Sequence, residues 1–238
     1  MGTAGWTIPR LSAHRCADTG SHLERYSQVL SCVEINTSFH RSHSIATYAR
    51  WAAATPPEFR FTIKMPRAIT HELKLRRSQA LVARFLQETA GLGRKRGPIL
   101  VQLPPSLAFE ARVALRFFGG LREQFSGFVV CEPRHPTWFE AGADQLLRRH
   151  RVSRVAADPP RVAGANQPGG WDGLAYFRLH GSPRTYWSRY SAAYLEALAV
   201  AVRAAPAGVD SWIVFDNTAS GAAFENAWEF REANRLVS

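Results

Sequence analysis

Short apolar segments rich in β-branched residues alternate along this chain with longer segments whose apolar residues recur at offsets of three and four, the signature of repeated strand and helix units. Eight strands are predicted: Thr3 to Trp6, Cys32 to Asn36, Phe59 to Lys64, Ile99 to Leu103, Gly127 to Glu132, Val155 to Asp158, Leu174 to His180 and Trp212 to Asn217. Between them, Leu23, Tyr26 and Leu30 mark one helical face, and Leu81, Phe85 and Leu92 a less regular one. Ser44 is placed to cap a helix carrying Ile45, Tyr48 and Ala52, and Thr55-Pro56-Pro57 ends it, because a proline ring crowds helical geometry in the residue before it. The sixth unit breaks the pattern, since Pro159-Pro160 and the stretch Gly164 to Gly173 supply loop chemistry where a helix is expected.

Eight alternations in 238 residues fit one α/β domain over residues 1–238, a TIM-type (β/α)8 barrel that is irregular around its sixth unit. An open doubly wound sheet would give similar periodicity, so the pattern alone leaves that choice open. No apolar run approaches the roughly 20 residues that cross a bilayer, and the start Met1-Gly2-Thr3-Ala4-Gly5-Trp6 carries neither an export nor a lipidation signal. Cys16, Cys32 and Cys131 are widely spaced and form no Cys-x-x-Cys pair, which fits a reducing cytoplasm and indicates neither a disulfide framework nor a zinc knuckle.

The formal charge of +11 favours anionic partners. Arg76, Arg77, Arg94, Lys95, Arg96, Arg148, Arg149 and Arg151 are candidate phosphate contacts for nucleic acid, yet no nucleic-acid motif accompanies them. The excess is nearly all Arg in a chain also rich in Ala, Gly and Pro, so a compositional origin competes with a functional one. No Walker sequence, dinucleotide fingerprint or Gly-x-Ser-x-Gly elbow is present.

Six local phrases carry more information than the periodicity. They are Val33-Glu34-Ile35-Asn36-Thr37-Ser38-Phe39; Phe61-Thr62-Ile63-Lys64-Met65-Pro66-Arg67 with Ile69-Thr70-His71; Gln102-Leu103-Pro104-Pro105-Ser106; Glu132-Pro133-Arg134-His135-Pro136-Thr137-Trp138; Arg178-Leu179-His180-Gly181; and Phe215-Asp216-Asn217-Thr218. Together, in this order, the chain resembles the YecE-like family, also called domain of unknown function 72. The resemblance implies a TIM-type barrel and no particular activity. It departs at Pro9 to Gly20, which lacks the aromatic-rich loop expected there, and at His40, where members usually carry Tyr.

In such barrels the C-terminal strand ends and the loops after them carry the chemistry, because packed side chains fill the rest of the interior. Lys64, Glu132, His180 and Asp216 are therefore the candidate catalytic residues. Lys64 is a candidate base, its pKa depressed if it is desolvated or lies near Arg178, and His180 titrates near neutrality. Glu34, Asn36, Gln102, Arg134, His135, Asp158, Arg178, Gly181, Ser182, Asn217 and Ser220 are candidate ligand contacts. Pairing of the four acids with Lys64, Arg134 and Arg178 simply to hold the barrel mouth together is the structural alternative.

Gly181, Ser182 and Arg184 after strand seven, with Thr218, Ser220 and Gly221 after strand eight, match the usual location of a barrel phosphate site, and Arg67, His71 and Lys74 are placed to close over it. No cofactor is required by the sequence. A divalent metal is left open, because Glu34, Glu132, Asp158 and Asp216 with His135 and His180 are a set suited to Mg, Mn or Zn. The expected ligand is thus small and anionic, the chemistry that of a hydrolase or an isomerase, with nucleic-acid binding or a noncatalytic ligand-binding barrel as alternatives.

Overall fold

The computed structural model describes residues 1–205 and 208–235. Ten strands form one sheet: β1 (Gly2–Ala4), β2 (Cys32–Ile35), β3 (Arg60–Lys64), β4 (Arg96–Gln102), β5 (Val129–Glu132), β6 (Val152–Arg154), β7 (Ala156–Asp158), β8 (Gly169–Gly170), β9 (Leu174–Leu179) and β10 (Asp210–Phe215). Pairing is parallel from β9 through β10 and β1 to β6. β6 and β7 are halves of one segment broken at Val155. The first half pairs with β5 and the second with β9, so this broken strand closes a cylinder of eight staves.

Helices α1 (His22–Ser27), α2 (Thr37–His40), α3 (Ile45–Ala53), α4 (Gln79–Thr89), α5 (Ala111–Gln124), α6 (Ala141–Arg149), α7 (Ala192–Arg203) and α8 (Ala222–Arg235) fall between or after the strands. The Ser44 hydroxyl accepts the Thr47 amide and caps α3, as the sequence indicates. No helix follows β7. There the glycine pair of β8 returns antiparallel onto β6, which is the irregularity expected of the sixth unit. Most strand bounds lie one to three residues from those the sequence predicts, as two ends illustrate. β1 stops at Ala4 instead of Trp6 because Gly5 adopts φ +79°, outside the extended region. β4 starts three residues earlier than its apolar run, where Arg96 pairs with Phe61 of β3. Among the described residues no helix is long and apolar enough to cross a membrane.

Alternation of side chains along parallel strands sorts residues into two sets. Val33, Ile35, Phe61, Ile63, Ile99, Val101, Val129, Cys131, Phe177, Leu179, Ile213 and Phe215 join the large core beneath the helices. Leu100, Val130, Val155, Leu174, Tyr176 and Val214 point inward and fill the barrel with Phe128, Trp171 and Trp212. Two residues further along the same inward faces stand Gln102, Glu132, Arg178 and Asp216. The tier that follows the apolar plug is therefore polar.

Where the turn after α4 crosses α3, a methyl group added to Gly91 would lie 2.2 Å from the Ile45 carbonyl oxygen. Gly91→Ala is expected to lower unfolding free energy by about 1–3 kcal/mol, the usual cost of overpacking. Gly120→Ala in α5, whose added methyl meets nothing within 4 Å, is expected to be neutral or stabilising. Urea denaturation of the two variants checks the contrast.

Candidate functional site

Arg178, on the inward face of β9, is fully buried and surrounded by carboxylates from three other strands. Its Nε and Nη2 donate to the two oxygens of Glu34 at 2.9 and 2.5 Å, Nη1 donates to Glu132 Oε2 at 2.7 Å, and Nη2 also reaches Asp216 Oδ2 at 3.0 Å. A guanidinium is suited to this position because its planar fork offers several donors at once and stays charged when desolvated. Burial alone would raise the carboxyl pKa values. At Glu132 the charges of Arg178, His180 and Arg134 outweigh it and hold the group well below the usual range, and Arg178 and His180 likewise depress Asp216.

Neutral and charged donors complete this network. Gln102 Nε2 spans both oxygens of Glu132 at 3.0 and 3.1 Å, in keeping with the Gln102–Glu132 register of β4 and β5. Arg134 reaches Glu132 Oε1 through Nε at 3.1 Å and Nη2 at 3.0 Å. The Tyr176 hydroxyl donates to Glu34 Oε2 at 3.1 Å. His180 Nδ1 lies 2.9 Å from Asp216 Oδ2 and its Nε2 lies 3.3 Å from Glu132 Oε1. Burial disfavours the imidazolium, but Glu132 and Asp216 overcome it and raise the His180 pKa above its ordinary value.

Lys64 completes the inward tier and differs from its neighbours. Among the described residues its Nζ makes no hydrogen bond and no ion pair, and it lies over the Phe39 ring, 4.3 Å from the centroid. Burial first, then the nearby Arg178 charge, brings its pKa down to about 8. His71 meets the same Phe39 ring edge-on at 5.0 Å, and burial together with Lys64, Arg134 and Arg67 lowers it to about 4, so its imidazole is neutral at pH 7. A cavity of about 400 Å³ adjoins this corner, lined by Phe39, His40, Arg41 and Arg67 among others.

The sequence therefore brings Glu34, Lys64, Gln102, Glu132, Arg134, Arg178, His180 and Asp216 to one rim. Asn36 follows β2 as the residue before α2, and its Oδ1 is buried with no hydrogen-bond partner among the described residues. Other candidates turn elsewhere. Asp158 is level with outward-facing Leu179 and accepts the Tyr190 hydroxyl at 2.8 Å. Asn217 binds the Ser188 carbonyl and Asn226 at 2.9 and 3.0 Å, and His135 accepts the Thr137 amide at 3.3 Å in the short 3-10 turn after β5.

Several donors of the loops expected to cradle phosphate have acceptors within the chain. Gly181 donates to the Tyr190 hydroxyl at 2.8 Å, Gly221 to Thr218 and Ala223 to Asn217, while the Ser220 hydroxyl donates to the Trp187 carbonyl at 2.5 Å. Among the described residues Ser182, next to Gly181 in this loop, makes no side-chain hydrogen bond to the Arg178 network. Among the described residues no group of three or more His, Cys, Asp or Glu side chains is arranged to hold a metal ion; Arg178 stands between the acids that would have supplied ligands. Four of the surface cations named as phosphate contacts have partners within the chain. Arg76 pairs with Glu110 at 2.5 Å, Arg148 with Asp144 at 3.4 Å, Lys95 with the carbonyls that end α3, and Arg96 with the Leu86 carbonyl at 3.1 Å.

Three contributors were not among the candidate site residues. Tyr176 lies two residues before Arg178 on one strand face, so period-two alternation identifies it. Phe39 and Tyr186 lie in loops where no periodicity applies. Tyr186 folds over the network with its ring edge-on to His180 at 5.4 Å and its hydroxyl 3.4 Å from Arg134 Nη2.

Comparison with known proteins places these residues in context. The family model described as "Protein of unknown function DUF72" matches residues 1–237. The UPF0759 protein YecE of Escherichia coli K12 is 32% identical over 149 residues, 60% of this chain and 54% of that protein, so the match spans about half the length of this curated relative. A crystal structure of a DUF72 family protein from Enterococcus faecalis superposes with a TM-score of 0.80 at 20% identity, covering 99% of this chain and 94% of that one. Another, from Thermotoga maritima, gives 0.78 at 24% identity and covers 98% of both. At these identities the two structures establish a shared fold.

Two outcomes are expected of the network. Arg178→Met leaves three buried acids without their common cation and is expected to destabilise by about 3–5 kcal/mol in chemical denaturation. Against pH, Glu132 and Asp216 are held below ordinary values of 4.5 and 3.8, so their contribution is present above those values and disappears as pH falls through the folded-state pKa values. His180 is held above 6.5, so its contribution is full below that value and disappears as pH rises through its folded-state pKa. Urea unfolding across pH should show both limbs, and His180→Asn should flatten the alkaline one.

Proposed function

The chain belongs to the DUF72 family, whose name assigns no activity, and on that premise we propose that its barrel mouth binds a small anionic or phosphorylated ligand and moves a proton on it, as hydrolases and isomerases do. One observation carries the reading. Lys64, Arg134, Arg178 and His180 face Glu34, Glu132 and Asp216, and the unmatched group, Lys64, is the one without an ion pair.

The physical argument concerns which charges are already neutralised. Glu34 and Glu132 have both oxygens turned to Arg178, Arg134, His180, Gln102 and Tyr176, and Asp216 turns Oδ2 to Arg178 and His180, so an entering anion meets carboxylates whose charge is largely matched. Lys64 stands beyond that network, and the neighbouring cavity is bordered by Arg41, Arg67 and Arg84 against Glu72 and Glu88, a lining with one positive charge in excess. An anion desolvated here gains Coulombic attraction that water would screen. With its pKa down at about 8, Lys64 is unprotonated in a useful fraction of molecules at neutral pH and accepts a proton more readily than an exposed lysine. The buried acids fix Arg178 and His180, which keeps the site from rearranging as a proton moves.

A ligand that binds only the folded state raises apparent stability. At concentrations of about 100 times the dissociation constant, glycerol 3-phosphate is expected to raise the melting temperature by about 5–10 °C for a chain of this size. Glycerol, at matched ionic strength, is expected to have no effect, and Lys64→Met and Arg134→Ala should each remove most of the shift. Equal responses to glycerol and glycerol 3-phosphate, with inorganic phosphate and citrate equally inert, would overturn the reading.

A further inference from the structure

The chain contains three lysines, and their surroundings differ sharply. Lys95 donates to the Ala52 and Thr55 carbonyls at 2.6 and 2.5 Å and to the Thr55 hydroxyl at 3.1 Å, so its nitrogen is fully engaged at the end of α3. Lys74 is exposed to solvent. Lys64 is partly buried, outside ion-pair range of every carboxylate among the described residues, and has the Phe39 ring as the contact of its ammonium group. Its backbone is fixed as well, because Lys64 is in register with Leu100 of β4 and its carbonyl accepts the Ser38 hydroxyl at 2.7 Å.

This combination is unusual for a lysine whose role is electrostatic. A lysine that serves only to hold the fold is expected to sit against a carboxylate, and three lie in the same tier, yet all three are turned to Arg178. What remains is an amine held in place, partly shielded from water and free of competing hydrogen bonds, which is the condition for a nitrogen nucleophile.

We propose that Lys64 forms a Schiff base with the ligand, so that the substrate class is an anionic or phosphorylated aldehyde or ketone. The inference rests on the anion-binding reading above and adds a covalent step to it. The Nζ lone pair attacks the carbonyl carbon, the carbonyl electron pair moves to oxygen, and a proton passes from nitrogen to that oxygen to give the carbinolamine. Protonation of its hydroxyl releases water and leaves a C=N bond to Lys64, so amine plus carbonyl become imine plus water with no change of oxidation state. His71, neutral and against the same Phe39 ring as Lys64, is a candidate to relay that proton from Nζ to the oxygen. His180, on the same inward rim, is a donor for the departing hydroxyl. Arg134 and Arg67 supply charges for the ligand's anionic group.

The test uses pyridoxal 5′-phosphate as a phosphorylated aldehyde, followed by borohydride reduction and peptide mapping by mass spectrometry, with unphosphorylated pyridoxal in parallel. The expected result is one reduced adduct on Lys64, at least tenfold above Lys74, suppressed by excess glycerol 3-phosphate and at least tenfold weaker with pyridoxal. Lys64→Met should lose that adduct and keep whatever label Lys74 carries, and a matched unfolding curve for this variant separates loss of the nucleophile from loss of the fold. Labelling of Lys74 equal to or above Lys64, with the thermal shift by glycerol 3-phosphate intact, would overturn the Schiff base and leave anion binding standing. Loss of both selective labelling and the thermal shift would overturn the two together.

Discussion

One guanidinium organises the mouth of this barrel. Arg178 is buried completely, and such a charge survives only where its surroundings replace the water it has lost. Four contacts to Glu34, Glu132 and Asp216 do this, drawn from β2, β5 and the end of β10. The dependence is mutual, since each of these acids would itself be intolerable without the cation. Barrel closure, strand register and the charge state of the rim are thus one constraint, because a residue slip in any of these strands would turn an acid outward and leave Arg178 unmatched.

The same constraint determines which group is free to react. With the acids committed to Arg178, Arg134 and His180, Lys64 lacks a carboxylate partner even though it shares their tier. Its amine is left against an aromatic ring at the edge of a cavity. A pKa of about 8 follows from that exclusion, burial being the larger influence and the positive charge of Arg178 the next. A structural ion-pair network and a reactive amine are then complementary parts of one arrangement: the first gives the barrel mouth its shape, the second its chemistry.

Much of this was legible in the chain. Parallel strands alternate faces, so Glu34, Lys64, Gln102, Glu132, Arg178 and Asp216, each near the end of an apolar run, could be assigned to one rim from spacing alone. The loss of a helix after Asp158 was legible in its prolines and glycines. Spacing failed where a side chain's direction depends on a single residue of register or on a loop. Asp158 ends its strand like the others but is level with Leu179, so it faces α7 and Tyr190. Asn217, one position beyond inward Asp216, turns to Ser188 and Asn226. The glycine-containing loops after β9 and β10 resembled a phosphate cradle in composition, yet Tyr190 and neighbouring carbonyls engage several of their donors, Gly181 and Gly221 among them, and composition carries no information about that.

The account depends on Lys64 being an unpaired, partly desolvated amine. In protein labelled with ¹³C-lysine, the titration of the Lys64 Cε resonance, assigned by its loss in Lys64→Met, reads this directly. The account predicts a midpoint near pH 8 that moves upward when phosphate is added, because an anion beside the ammonium stabilises its charge. A midpoint near about 10.4, the value of a solvated lysine, unmoved by phosphate, would contradict it.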